Sequence, residues 1–252
     1  MARVRAVSFD LWDTVFIDDS DEPKRRAQGL PPKPVARRDL VHSYLSRHAP
    51  IDRELVDCAY DTANAAFRQV WHYEHVTWSV AVRLRVLLAG LKRELPEEEF
   101  QELVTLHEEM ELRFRPDLVP GVAEAIDSLK GRFTLVVVSD AIFTPGRILR
   151  EILHGYGLRD HFSEFVFSDE IGCSKPHPRV FTRAAELARC EVAEIVHIGD
   201  REHNDIAGAK DAGARAVLLT AAIDRGSAGT RADAVCREYR ELAAVIDSFD
   251  KD

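Results

Sequence analysis

The stretch SFDLWDTVF, residues 8–16, closes an apolar run with two carboxylates three apart, Asp10 and Asp13. Other apolar runs end in comparable chemistry. VVVSD delivers Ser139 and Asp140, HIGD delivers Gly199 and Asp200 with Asp205 five residues on, and Lys175 follows the run EFVF within SDEIGCSKPHP. Ligands in open α/β folds bind at the carboxyl ends of strands, so these groups would converge there. Several carboxylates sharing one mouth with a single lysine repel one another unless a divalent cation or proton uptake neutralises them. Hard oxygen donors favour Mg2+, which keeps several waters and commonly bridges one or two carboxylates to a substrate phosphate. The constellation therefore points to phosphoryl chemistry more than to metal storage.

The hydrophobic periodicity indicates which elements must position these groups. An apolar strand over residues 4–9 stops at Asp10. The segment DDSDEPKRRAQGLPPKPVARRD then has the Pro, Gly and mixed charge of an exposed linker or hinge. Helical patterns follow over residues 35–47, 53–73, 78–91 with Thr77 as N-cap, and 97–113 after Pro96, enough for a small bundle. Beyond Pro120 and Gly121 helices and strands alternate: helix 122–130, strand 134–138, a helix from Pro145 capped by Thr144, and strand 164–167. Helix 178–189, strand 195–198, helix 204–211, strand 216–219 and helix 238–249 follow. This succession predicts an α/β fold with a doubly wound, Rossmann-like parallel sheet.

Composition narrows the partners. The 252 residues, 46% of them hydrophobic, can bury a substantial core. A formal net charge of −9 without a large basic block disfavours nucleic acid and favours a small ligand. Cys58, Cys173, Cys190 and Cys236 lack the paired spacing of zinc sites or secreted disulfide frameworks and read as reduced thiols of a cytoplasmic protein. No run of apolar residues is long enough to span a bilayer, so no membrane partner is expected. Oligomeric state is left open.

Four separated motifs, in order, resemble those of the haloacid dehalogenase-like hydrolase superfamily: FDLWDTV, VVVSD, the Lys175 of GCSKPHPRVF, and IGDREHNDIAGAKDAG. The resemblance implies a catalytic core of residues 1–17 and 117–252 with an α-helical cap, residues 18–116, inserted after the first motif. It also implies roles. Asp10 would be the nucleophile that forms a covalent aspartyl intermediate. Thr14 and Ser139 would donate hydroxyl hydrogen bonds to the transferring group, and Lys175 would neutralise the nucleophile and the phosphate oxygens. Mg2+ would be held by Asp10, the Trp12 carbonyl, Asp200 and Asp205, with Asp205 either a ligand, an orienter of the bound waters, or a helix cap.

Trp12 is the main departure. Phosphatases of this type usually carry a second aspartate there, a general acid–base worth typically about 10² to 10⁴ in rate. Asp13, where the family usually has glycine, either supplies that proton from a shifted position or is a turn residue. Three functions follow: a Mg2+-dependent phosphatase of small phosphorylated metabolites, a 2-haloacid dehalogenase whose halide needs no acid, or a catalytically weak binding or regulatory relative. Gly199 and Asp200 keep the metal-binding form of the fourth motif and favour the phosphatase. Trp71, His72, Tyr73, His75 and Trp78 read as aromatic packing within the cap, with lining of the substrate mouth as the alternative. Lys24, Arg25 and Arg26 read as solvated, and Asp140 and Asp169 as structural.

Overall fold

A computed structural model describes residues 2–250. Its six strands are β1 (Ala6–Phe9), β2 (Thr134–Ser139), β3 (Glu164–Phe167), β4 (Ile195–Gly199), β5 (Arg215–Leu219) and β6 (Ala234–Cys236), all parallel in the order β3-β2-β1-β4-β5-β6. Phe9 is level with Val137 of β2 and Ile198 of β4. The strand order reverses between β1 and β4, which puts the switch point beside Asp10.

The strands read as continuous apolar runs because both faces are covered. Val7, Phe9, Val137 and Ile198 enter one core, while Ala6, Val136, Val138 and Leu218 enter the other. Between these layers the chain departs once, after Ile17, into α1 (Glu22–Ala27), α2 (Lys33–Ser46), α3 (Arg53–Gln69), α4 (Val80–Gly90), α5 (Glu97–Glu108) and α6 (Met110–Arg113). Helices α2 to α5 enclose their own apolar centre around Leu45, Val56, Leu84 and Leu103. The outward and return crossings lie side by side, with Ile17 N donating to Asp117 O at 2.8 Å and Val119 N to Val15 O at 2.9 Å. The remaining helices are α7 (Val122–Leu129), α8 (Gly146–Gly155), α9 (Ser168–Ile171), α10 (Pro178–Ala188), α11 (Gly208–Ala212) and α12 (Tyr239–Ser248). Ile126, Ile152 and Ile246 of α7, α8 and α12 cover one face; Phe181 and Ala209 of α10 and α11 cover the other.

Several local expectations are corrected. The segment after residue 18 is not a wholly exposed linker: it forms α1, and its Asp21, Arg25, Lys33 and Arg37 are buried. Lys24 is tied to Arg115 O and Asp117 at 2.5 and 2.6 Å, so only part of the basic triplet is solvated. Ser79, not Thr77, caps α4, its hydroxyl accepting from Val82 N at 3.3 Å. The pattern over residues 53–73 leaves α-geometry after Gln69 in a π-turn ended by His75 in the left-handed region. The pattern over residues 97–113 breaks at Glu109 into α5 and α6. Thr144 does not cap α8; its hydroxyl donates to Glu111 at 2.5 Å, and Asp169 reaches the Gly146 N–H at 3.2 Å instead. Strand β6 and helix α9, only three and four residues long, fall below what periodicity resolves. All four cysteines are free thiols. No helix among the described residues is long and apolar enough to cross a membrane.

Candidate active site

Asp10 and Asp200 are the first residues after β1 and β4, Ser139 is the last residue of β2, and Lys175 lies beyond α9 on the loop that follows β3. Asp10 N donates to Ile198 O at 2.9 Å, so the nucleophile candidate is held by the last backbone link between β1 and β4. The chain then turns tightly, with the amides of Val15 and Phe16 both donating to Leu11 O. Asp13 takes the left-handed backbone (φ 53°) that this turn requires, a position where an L-residue is strained and glycine is favoured.

Lys175 joins the carboxylates. Its Nζ donates to Asp10 Oδ1 at 2.6 Å and to Asp205 Oδ1 at 2.5 Å, with all three side chains buried. Oxygens of Asp10, Asp200 and Asp205 lie within 4.8 Å of one another. Gly199 makes this proximity possible, because a Cβ there would sit 2.3 Å from the Asp205 carboxyl carbon. Asp140 supports the cluster from behind: it accepts from Lys175 N at 3.0 Å and from Asn204 Nδ2 at 3.3 Å.

Charge in this cluster is unevenly balanced. Burial pushes Asp10 up against the pull of Lys175, and pushes Asp140 up to about 6. Burial together with the neighbouring Asp205 and Asp10 charges raises Asp200 to about 7. At Asp205 the upward push of burial is outweighed by Lys175 and His197, which leave it below the usual carboxylate range. Burial would strip the proton from Lys175, but Asp10, Asp205 and Asp140 hold it above its ordinary value. The site thus has one buried lysine, with Arg225 at the edge on Asp200, facing four carboxylates, those of Asp10, Asp140, Asp200 and Asp205. Asp200 Oδ1 is buried with no hydrogen-bond partner, and so are the hydroxyls of Thr14 and Ser139. An orphaned carboxylate oxygen within an all-oxygen trio fits a hard divalent cation.

Asp205 lies inside the helical turn Glu202–Ala207 rather than at its N-cap: its Oδ2 accepts from Arg201 N at 2.9 Å and its Oδ1 from Lys175 Nζ at 2.5 Å. Asp13 is turned to other partners: it accepts from Asp18 N at 3.0 Å and from Arg225 Nη2 at 2.5 Å. Two groups here escaped the sequence reading. Arg225, on the loop after β5, also donates from Nε to Asp200 Oδ2 at 2.6 Å. His197 lies within β4, with one ring nitrogen 3.2 Å from Asp205 and the other 2.9 Å from Ser8 of β1. The signal for His197 was a lone histidine inside an apolar strand; Arg225 carried none.

A cavity of about 310 Å³ opens over the cluster. Asp10, Lys175 and Asp205 form its floor, Trp12 and Trp71 are on its walls, and Lys33, Arg37 and Glu111 of the inserted helices close it. Of the aromatic group at residues 71–78, Trp71 reaches this cavity, Trp78 packs against Phe67 with centroids 6.3 Å apart, and the His75 carbonyl accepts from Ser174 N at 2.8 Å.

These features define a parallel α/β hydrolase core with a carboxylate–lysine centre at its switch point. Residues 4–213 match the model of the haloacid dehalogenase-like hydrolase family, and the chain belongs to that family. It is 38% identical over 223 residues to human haloacid dehalogenase-like hydrolase domain-containing protein 3, covering 86% of this chain and 82% of that protein. A match to the mouse protein of the same name is shorter, spanning 44% of that protein at 33% identity. A glyceraldehyde 3-phosphate phosphatase from Methanothermobacter thermautotrophicus is 30% identical over 86% of this chain and 85% of its own. Among solved structures, a 2-haloacid dehalogenase from Pseudomonas syringae superposes with TM-score 0.70 at 24% identity, covering 98% of this chain and 99% of that one. The magnesium-bound HAD-hydrolase YfnB from Bacillus subtilis does so with TM-score 0.60 at 20% identity, covering 98% and 100%. At these identities the structures share the fold.

Proposed function

We propose that this hydrolase is a Mg2+-dependent phosphatase of small phosphorylated metabolites, with residues 18–116 acting as its cap and Asp10 as its nucleophile. The observation that carries the reading is Lys175 bridging Asp10 and Asp205 beside the unpartnered Asp200 oxygen. A dehalogenase needs no metal-binding carboxylate trio, and the phosphatase named among the relatives supports the same choice.

In this reading Asp10 attacks phosphorus and becomes an aspartyl phosphate, the leaving alcohol departs, and water then releases phosphate and restores the carboxylate. Lys175 keeps Asp10 ionised and offsets charge on the phosphoryl oxygens. Thr14 and Ser139, whose hydroxyls have no protein partner, are available to donate to those oxygens. Asp10, Asp200, Asp205 and the Trp12 carbonyl would hold Mg2+, which when bound supplies the positive charge the cluster lacks. With Asp13 engaged by Arg225, leaving-group protonation is the weak step, so aryl and acyl phosphates outrun alkyl phosphates. Trp12 on the cavity wall keeps a second reading, dehalogenation, in view.

A panel of aryl phosphates, alkyl phosphates and 2-haloacids, assayed with Mg2+ and with chelator, separates these. The expected result is aryl phosphate hydrolysis abolished by chelation. Turnover of haloacids that survives chelation, without phosphatase activity, would replace the proposal with the second reading.

A further inference from the structure

A buried chain of polar groups runs behind the carboxylate cluster and returns to the strand that carries the nucleophile candidate. His197 of β4 stands level with Ser8 of β1 in the parallel register, and its Nδ1 lies 2.9 Å from the Ser8 hydroxyl. Its Nε2 lies 3.2 Å from Asp205 Oδ1, the same oxygen that accepts from Lys175 Nζ at 2.5 Å. Lys175 donates in turn to Asp10, two residues beyond Ser8, so the chain closes on itself across β1 and β4. Ser8, His197 and Asp205 are all fully buried, and the imidazole packs nearly perpendicular to the Phe181 ring of α10 with centroids 5.2 Å apart. An ionised carboxylate only accepts, so the imidazole must donate to Asp205 from Nε2, while the Ser8 hydroxyl completes the Nδ1 side. His197 lies behind the cavity floor rather than on it, and therefore acts on the site only through Asp205 and Lys175.

A carboxylate oxygen offers two lone pairs. On Asp205 Oδ1 one faces Lys175 and the other His197, while Oδ2 accepts from Arg201 N at 2.9 Å. Three donors from three directions fix the plane of this carboxylate. Because His197 takes a share of Oδ1, Asp205 anchors Lys175 without drawing it away from Asp10. We propose that His197, oriented by Ser8, is a positioning residue: it sets the Asp205 carboxylate in the orientation that keeps Lys175 against Asp10 and the trio of carboxylates together. The effect on turnover rests on the phosphatase reading; the effect on the carboxylates does not.

The test replaces the two outer groups together. The double substitution Ser8→Ala with His197→Phe keeps a ring against Phe181 and leaves no orphaned hydroxyl, so its urea midpoint should stay near that of wild type. Mg2+ alone, titrated by calorimetry, should bind about 10-fold more weakly, and aryl phosphate turnover should fall by about 10- to 100-fold in kcat with KM nearly unchanged. His197→Gln, whose amide nitrogen stands as many bonds from the backbone as Nε2, should recover most of both losses. Should the double variant not fold, His197→Asn, whose shorter amide serves the Ser8 side and cannot reach Asp205, replaces it with the same losses expected. Nitrogen NMR of histidine-labelled wild type should find the His197 hydrogen on Nε2. A folded variant with wild-type Mg2+ affinity and wild-type kcat makes His197 a core residue and overturns the proposal. So does a neutral His197 with its hydrogen on Nδ1, or a His197→Gln no better than the double variant. Absence of all phosphatase activity in wild type sinks the phosphatase reading alone, and the Mg2+ titration and the tautomer then decide the positioning role.

Discussion

The strand-end cluster and the cluster in the inserted helices bury similar numbers of charges and leave opposite debts. At the strand ends Lys175 serves Asp10 and Asp205, and the unpartnered atom is a carboxylate oxygen, Oδ1 of Asp200. In the insertion Lys33 is well supplied, with Asp21 at 2.7 Å, Glu111 at 3.0 Å and Asp19 at 3.2 Å, and the buried charged atoms without a hydrogen bond are mostly guanidinium nitrogens, of Arg25, Arg37 and Arg83, with Asp21 Oδ2 among them. Buried charges in folded proteins are normally paired, so the unpartnered Asp200 oxygen among its neighbouring carboxylates is the place where a cation would be accommodated. The strand ends bring an excess of carboxylate to the cavity, while the insertion brings mixed charge to it through Asp18, Asp19, Lys33, Arg37 and Glu111.

The comparison can be broken at each end. The largest effect is expected from Asp10→Asn, which removes the proposed nucleophile while keeping its shape: aryl phosphate turnover should fall by roughly 10³-fold or more. Acid-quenched reactions with labelled substrate should lose the protein-bound phosphate in parallel. Undiminished turnover would show that another group attacks phosphorus.

The cationic end responds to acid. His107 is fully buried beside Arg37 and Arg83 and is pushed down to about 4, by burial first and by those two charges; the Leu103 carbonyl works in the opposite direction. Its folded value lies below the unfolded value of about 6.5, so the unfolded chain takes up the proton first as pH falls. The stability it contributes is complete above about pH 6.5 and is lost progressively toward pH 4, by roughly 3 kcal/mol from this group. Urea unfolding of His107→Phe should show a shallower decline across that window than wild type; equal slopes would assign the acid sensitivity to the carboxylates at the other end.

The smallest effect is expected from Arg225→Ala. Arg225 holds Asp200 Oδ2 at 2.6 Å and leaves Oδ1 facing the cluster, so its removal should weaken divalent-cation binding by about 10- to 100-fold in calorimetry. Arg225→Lys should recover part of the loss. Tighter metal binding in Arg225→Ala would instead make Arg225 a competitor for that carboxylate.

The alternation of apolar runs and turn residues was enough to read five of the six strands and the chain position of Asp10, Ser139, Lys175 and Asp200. That information is local: a strand buried on both faces must be apolar along its length, so the first polar residue after it marks the strand's end and the sheet's ligand-binding edge. What only the tertiary structure decided is which charges lie buried and against what. Lys33 and Arg37 sit in a segment whose composition reads as solvated linker, and they are interior because Glu111 and Phe143 from elsewhere in the chain, together with Asp21 of the same segment, surround them. His197 meets Ser8 across 189 residues, and Arg225 meets Asp13 across 212. A charged side chain carries no mark of its eventual partner, because the cost of burying it is set by the groups that fold around it rather than by its neighbours in sequence.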